Sequence, residues 1–154
     1  MKKHAATWYI AATHYVTAGI IIPFFLGAVM GFLEYAIAGA FGLLNADTDF
    51  INQTVAFAVY VIGGAGVLVI IWFSVRYSAR YILKTYDVPD IETVIRFSTS
   101  CYAIAFVLFE ILDLLYPSDA MSDISRWQYV GVDIFFGVAS TYIFYVASKK
   151  YLKR

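Results

Sequence analysis

Four acidic residues lie in stretches of sequence that are otherwise apolar, and their side chains are the ones best suited to chemistry. They are Glu34, Glu110, Asp113 and Asp133. An ionised carboxylate at membrane depth costs roughly 2.5–3.5 kcal/mol, so each one requires a compensating proton, cation or hydrogen-bond donor. We therefore expect a cation or proton site in which one or more carboxyls hold a proton at neutral pH, because burial and mutual repulsion disfavour the charged form.

Glu34 is the strongest candidate among the four acids. It follows Gly31 by three residues, and Gly27 and Gly31 form a Gly-x-x-x-Gly pattern that favours close packing of membrane helices. Counted at about 1.5 Å per residue from the predicted outer boundary, Glu34 lies roughly 15 Å deep, near the bilayer midplane. The spacing predicts that its carboxyl belongs to the helix-packing face and not to the lipid face.

The other three acids are predicted to face the same interior. Glu110 and Asp113 are three residues apart and share one face of a helix. Asp133 precedes Gly137 by four residues, which places both on one face of the last predicted helix. A structural alternative stays open, in which Asp113 reaches the outer interface, Glu110 bonds Tyr or Ser hydroxyls and Asp133 pairs with Arg126.

Four apolar helices are needed to position these acids, and the composition supports them. Hydrophobic residues make up 62% of the 154 residues and charged residues only 14%, which is typical of an integral membrane protein. A helix needs roughly 20 apolar residues to cross the bilayer, and the sequence predicts spans at about 19–44, 55–73, 97–116 and 127–148. The connections at 45–54 and 117–126 are short, so the all-α bundle is expected to consist of two antiparallel hairpins within one membrane domain, residues 1–154.

The distribution of basic residues predicts the orientation of the bundle. Of the eleven Lys and Arg residues, only Arg126 lies outside the N-terminus, the second-to-third connection and the C-terminal run. Short cytoplasmic loops carry an excess of Lys and Arg, so both termini are expected in the cytoplasm and the plasma membrane is the expected location. Residues 5–18 are predicted to form a juxtamembrane helix that leads to a bend at Pro23.

The predicted helices extend beyond the membrane on the cytoplasmic side. Arg76, Arg80 and Lys84 recur every four residues, which indicates one face of a continued helix that suits anionic lipid headgroups. Asp90 follows a short turn and is expected to cap the third helix.

No cofactor is predicted, and the sequence does not identify a metal ion. His14 is the one histidine near a span, which excludes a bis-histidine site within one chain, and we interpret it as an interfacial residue packed among tyrosines. The aromatic residues, 19% of the chain, are spread over every segment, as is typical of packing and interfacial belts. Whether the aromatic interior holds a lipid, a quinone or a pigment is left open.

Two classes of function fit these patterns. The first is an oligomeric channel or transporter subunit that handles protons or cations through its carboxylates, and the second is an accessory subunit of a larger membrane complex without chemistry of its own. An enzyme is not expected, because the sequence contains no nucleophile arrangement, metal-ligand spacing or phosphate loop. The expected partners are lipids and further copies of the chain or other membrane subunits, and no nucleic acid.

Overall fold

The fold is that of a computed structural model, which describes residues 2–40, 49–115 and 123–153. Within these ranges, some side chains lie outside the description: those of residues 34, 35, 37–40, 49–56, 58, 59, 113 and 123–126. The elements are β1 (Lys3–His4), α1 (Thr7–Tyr15), a π-helical segment (Val16–Ile21), α2 (Ile22–Ala40), α3 (Asp49–Thr85), β2 (Tyr86–Asp87), α4 (Ile91–Leu115) and α5 (Asp123–Leu152).

Four stretches of helix are long and apolar enough to cross a membrane, as the sequence predicts. They are Thr7–Leu33, Tyr60–Thr85, Ile91–Leu112 and Trp127–Leu152. Large apolar side chains are exposed along these stretches, and Phe32 of α2 is 72% exposed. Because a soluble protein rarely leaves so much apolar surface in contact with water, these faces fit an integral membrane protein.

The first stretch of helix is continuous where the sequence predicts a juxtamembrane helix followed by a separate span. Every residue from Thr7 to Ala40 is helical, and no helix boundary falls at Gly19. Directly before Pro23 the helix widens into the π-helical segment, and the Ile22 N–H donates to the Thr17 carbonyl, five residues earlier. Proline has no N–H to donate to the preceding turn, and a π-helical segment is one of the ways in which a helix accommodates that loss.

Both ends of the chain meet the α3–α4 turn at one end of the bundle. Strand β1 pairs in parallel with β2, so that His4 lies opposite Asp87. At the other terminus, Lys153 Nζ lies 2.7 Å from a carboxylate oxygen of Glu92 in the first turn of α4. These two contacts were not visible in the sequence, because each joins segments that are distant along the chain.

The predicted cap of α4 is confirmed. Asp90 accepts a hydrogen bond from the Thr93 backbone N–H at 3.0 Å and another from the Thr93 hydroxyl at 2.6 Å. Both bonds favour the charged carboxylate and hold the pKa of Asp90 below its usual range. The cap satisfies a backbone donor that the first turn of a helix otherwise leaves unpaired.

The closest packing lies in the half of the bundle that holds the termini. Helices α3 and α5 make the most extensive contact, where Ile71 and Val75 share one buried cluster with Phe144 and Ala147, and both helices also carry small buried residues such as Ser78 and Ser148. Small side chains let membrane helices approach closely, because lipid removes the hydrophobic driving force between them.

Candidate functional site

Two of the predicted acids line one cavity between the helices. The cavity has a volume of about 670 Å³ and is lined by residues of α2, α3, α4 and α5. Glu110 of α4 and Asp133 of α5 both reach its wall, and each side chain is half-buried. Carboxyls from two different helices thus line one space between the helices.

Asp133 is held in place by a tyrosine of α3. The Tyr60 hydroxyl donates a hydrogen bond to Asp133 Oδ1. The ring of Tyr60 in turn packs edge-on against the ring of Tyr129, with 4.9 Å between the ring centroids. This arrangement fixes one oxygen of the carboxylate through a hydroxyl donor.

Glycines in the lining leave the space between the helices open, because they have no side chains to fill it. Six of the described lining residues are glycines, namely Gly27, Gly31, Gly63, Gly64, Gly66 and Gly137. Around them stand aromatic rings from α4 and α5, including Phe106 and Phe136, and the hydroxyl of Ser140, which donates to the Gly137 carbonyl at 2.9 Å. The lining therefore combines an apolar wall with a small number of polar groups, as is usual for ligand cavities.

The glycines play two different roles within the chain. A methyl group on Gly137 would collide with the ring of Phe106, and one on Gly64 would collide with the ring of Phe136. In contrast, no atom of the described residues lies within 4 Å of the position that a methyl group on Gly27 or Gly31 would occupy. Gly137 and Gly64 therefore pack closely against aromatic rings, whereas the close helix contact predicted at Gly27 and Gly31 is not made by the described residues and stays a prediction for a second chain.

Alanine at these glycines is expected to change stability in opposite directions. Gly137→Ala should lower the free energy of unfolding by about 1–3 kcal/mol, because the Phe106 ring must move to admit the methyl group. Gly27→Ala should leave stability unchanged or raise it by up to about 1 kcal/mol, since alanine favours helix and the position is open. Thermal unfolding of both variants in detergent measures the difference, and equal shifts would show that the two positions are packed alike.

The remaining predicted acids cannot be placed at the cavity from their side chains. The backbone of Glu34 lies in α2 and that of Asp113 lies in α4, but both side chains are outside the described residues. Gly31, a described α2 residue that lines the cavity, precedes Glu34 by three residues. The role of Glu34 therefore stays a prediction.

A second cavity lies beside the first. It measures about 610 Å³, lies between α4 and α5, and shares Phe106, Glu110 and Gly137 with the first. Its other polar lining comes from Thr99, Thr141 and neighbouring tyrosines. Glu110 therefore lines both spaces.

His14 has a structural environment that the sequence did not predict. The side chain is fully buried, with Nδ1 at 2.8 Å from Ser78 Oγ and Nε2 at 2.9 Å from Ser148 Oγ. Its ring lies 5.4 Å from the ring of Phe144. His14 thus joins α1 to α3 and α5 through serines, where we had expected tyrosines.

Two of the three residues of the predicted basic face line one cavity, and the third does not. Arg76 and Arg80 line a third cavity of about 450 Å³, together with Lys150 of α5. Lys84 is not part of that lining. A step of four residues turns the helix about 40° beyond a full turn, so Lys84 is rotated about 80° away from Arg76.

Among the residues that the structure describes, no three His, Cys, Asp or Glu side chains are grouped so that they could hold a metal ion. Comparison with known proteins gives no match to a family model, to a curated protein or to a solved structure. The proposed function therefore rests on the arrangement of the residues at the site.

Proposed function

We propose that this protein is a membrane protein that binds a proton or a cation at Glu110 and Asp133, as one subunit of an oligomeric channel or transporter. A single observation carries the proposal: carboxyls from two different helices line the same cavity. Acids at membrane depth are costly and usually mark an ion or proton pathway. A bundle of four helices leaves little room for a pathway within one chain, so we propose that the pathway forms where several chains assemble.

The composition of the cavity supports a positively charged ligand. None of the described residues that line it is Lys, Arg or His, so the described lining contributes no positive charge. Tyr60 supplies a hydrogen bond to Asp133, which stabilises a carboxylate without neutralising it. A proton or a bound cation is then the least costly way to remove the remaining charge from an apolar surrounding.

The size of the cavity indicates which ligands fit. A water molecule occupies about 30 Å³ in the liquid, so a space of about 670 Å³ admits a hydrated cation or a chain of waters that leads a proton to the carboxyls. Glu34 would add a third acid along the same helix face that carries Gly27 and Gly31. We retain Glu34 and Asp113 as further members of the pathway.

We also propose that both termini lie in the cytoplasm, at the plasma membrane. The chain ends and the α3–α4 turn share one end of the bundle, and basic residues are concentrated in the same segments. In a Cys101→Ser background, cysteines at Asp47 and Asp119 should react with an impermeant reagent in intact cells. A cysteine at Asp87 should react only after permeabilisation, and the reverse pattern would invert the topology.

The proposed function is tested with the purified wild-type protein in liposomes. Under an imposed membrane potential, we expect proton or monovalent-cation flux above that of protein-free liposomes. Replacing Na⁺ or K⁺ by an impermeant cation while monitoring internal pH separates proton flux from cation flux. Flux equal to that of protein-free liposomes under every gradient would contradict the proposal.

One observation favours the accessory alternative. Among the described residues, no atom lies within 4 Å of where a side chain at Gly27 or Gly31 would begin, although this pattern commonly supports helix association. A second copy of the chain seated there would complete an assembly without requiring any transport. The isolated protein would then form a stable oligomer and show no flux.

A further inference from the structure

The third cavity lies between α3 and α5 and is built from basic residues. Arg76 and Arg80 of α3 and Lys150 of α5 line it, together with Leu83 and Tyr151. It lies at the end of the bundle that holds the C-terminus. Three cations from two helices therefore converge on one space of about 450 Å³.

Aromatic rings, and not acids, hold two of these cations in place. The Lys150 ammonium lies 5.0 Å from the ring centroid of Trp72, and the Arg76 guanidinium lies 5.9 Å from that of Tyr151. Trp72 and Tyr151 also pack edge-on against each other, at 5.7 Å between centroids. A cation held over a ring keeps its full charge and its N–H donors, so it can still bind an anion.

The nearby acids are engaged elsewhere. In the described part of the chain, Glu92 pairs with Arg96 and Lys153, Asp87 lies near His4, and Asp90 caps α4. None of the described acids forms an ion pair with Arg76, Arg80 or Lys150. The cavity therefore carries three positive charges without an internal counter-ion.

We propose that this cavity binds a phosphate group, and that an anionic phospholipid headgroup is its source. Arginine guanidinium groups match phosphate oxygens through paired N–H donors, and lysine adds a point charge. Exposed apolar residues of α3, including Val69 and Phe73, lie on the turns towards the membrane and offer a surface for acyl chains. This inference is independent of the proposed transport function, because it uses none of the residues of the carboxylate cavity.

The test compares lipid and phosphate binding by matched variants of the full chain in neutral detergent. Wild-type protein should retain phosphatidylglycerol in native mass spectrometry and should melt at higher temperature when that lipid is added. Phosphatidylcholine should give neither effect. The double variant Arg80→Gln/Lys150→Gln should bind phosphatidylglycerol roughly tenfold or more weakly, because each basic residue near an anionic headgroup contributes about fivefold.

Lys84→Gln is the matched control, because it removes one positive charge from the same helix outside the cavity. We expect it to stay within about twofold of wild type in the absence of a charged membrane surface. A parallel measurement with inorganic phosphate identifies the source of the phosphate group. Stabilisation by inorganic phosphate alone would indicate a soluble phosphate ligand, whereas stabilisation by the lipid alone indicates the headgroup. Unchanged binding by a folded double variant, or an equal loss in Lys84→Gln, would overturn the phosphate site.

Discussion

Replacing His14 with alanine is expected to lower the free energy of unfolding by about 2–4 kcal/mol. The imidazole is fully buried and contacts a serine hydroxyl with each ring nitrogen, Ser78 through Nδ1 and Ser148 through Nε2. A neutral imidazole has one donor and one acceptor, and a hydroxyl can serve either. Alanine would leave both hydroxyls without this partner and would open a void beside Phe144.

The only other histidine of the chain provides the matched control. His4 is almost fully exposed and lies 3.5 Å from an exposed carboxylate of Asp87. Exposed pairs of this kind contribute little to stability, so His4→Ala should unfold within about 0.5 kcal/mol of wild type. Thermal or denaturant unfolding in one detergent measures both variants. If His14→Ala were as stable as His4→Ala, His14 would not link α1 to α3 and α5.

Features of the fold that depend on local sequence were predictable. Apolar runs of sufficient length predicted four helices that could cross a membrane, and the structure has four. The cap at Asp90 was also predictable, because it needs only a suitable side chain three residues before the backbone N–H that it accepts from. The continuity of the first helix through Gly19 was not predictable, because Thr13, His14 and Thr17 made its first turns look too polar for a membrane span.

Contacts between distant segments were not predictable from one sequence. Tyr60 and Asp133 are 73 residues apart, and His14 and Ser148 are 134 residues apart. Nothing in the residue types indicated which of the thirteen tyrosines would meet which acid. A weak signal existed for Ser78 and Ser148, because polar hydroxyls that recur on otherwise apolar helix faces often mark helix contacts.

Helical periodicity alone did not predict which basic residues line the third cavity. A spacing of four residues follows a helix face for one step, but the drift of about 40° per step carries the third residue about 80° away from the first. Leu83, seven residues after Arg76, therefore lies closer to that face than Lys84 does. The third cation that lines the cavity is Lys150, and the packing of α5 against α3 brings it there.

Asp133→Asn and Glu110→Gln are each expected to abolish the flux of the wild-type protein in liposomes. Both changes keep the shape of the side chain, and the Asn amide oxygen can still accept the Tyr60 hydrogen bond. What they remove is the negative charge that would attract a cation or exchange a proton. We expect flux at the level of protein-free liposomes, with unchanged oligomeric state and thermal unfolding.

The chain offers matched controls for the same chemical changes. Asp90→Asn retains a helix cap, and Glu92→Gln removes an acid at the other end of α4, where Glu92 pairs with Lys153. Neither residue lines the carboxylate cavity, so both variants should keep wild-type flux. The measurement that tests the account most directly is therefore the flux of these four variants beside wild type. The account predicts that only Asp133→Asn and Glu110→Gln lose it, and persistence of flux with its pH dependence intact in both would contradict the site.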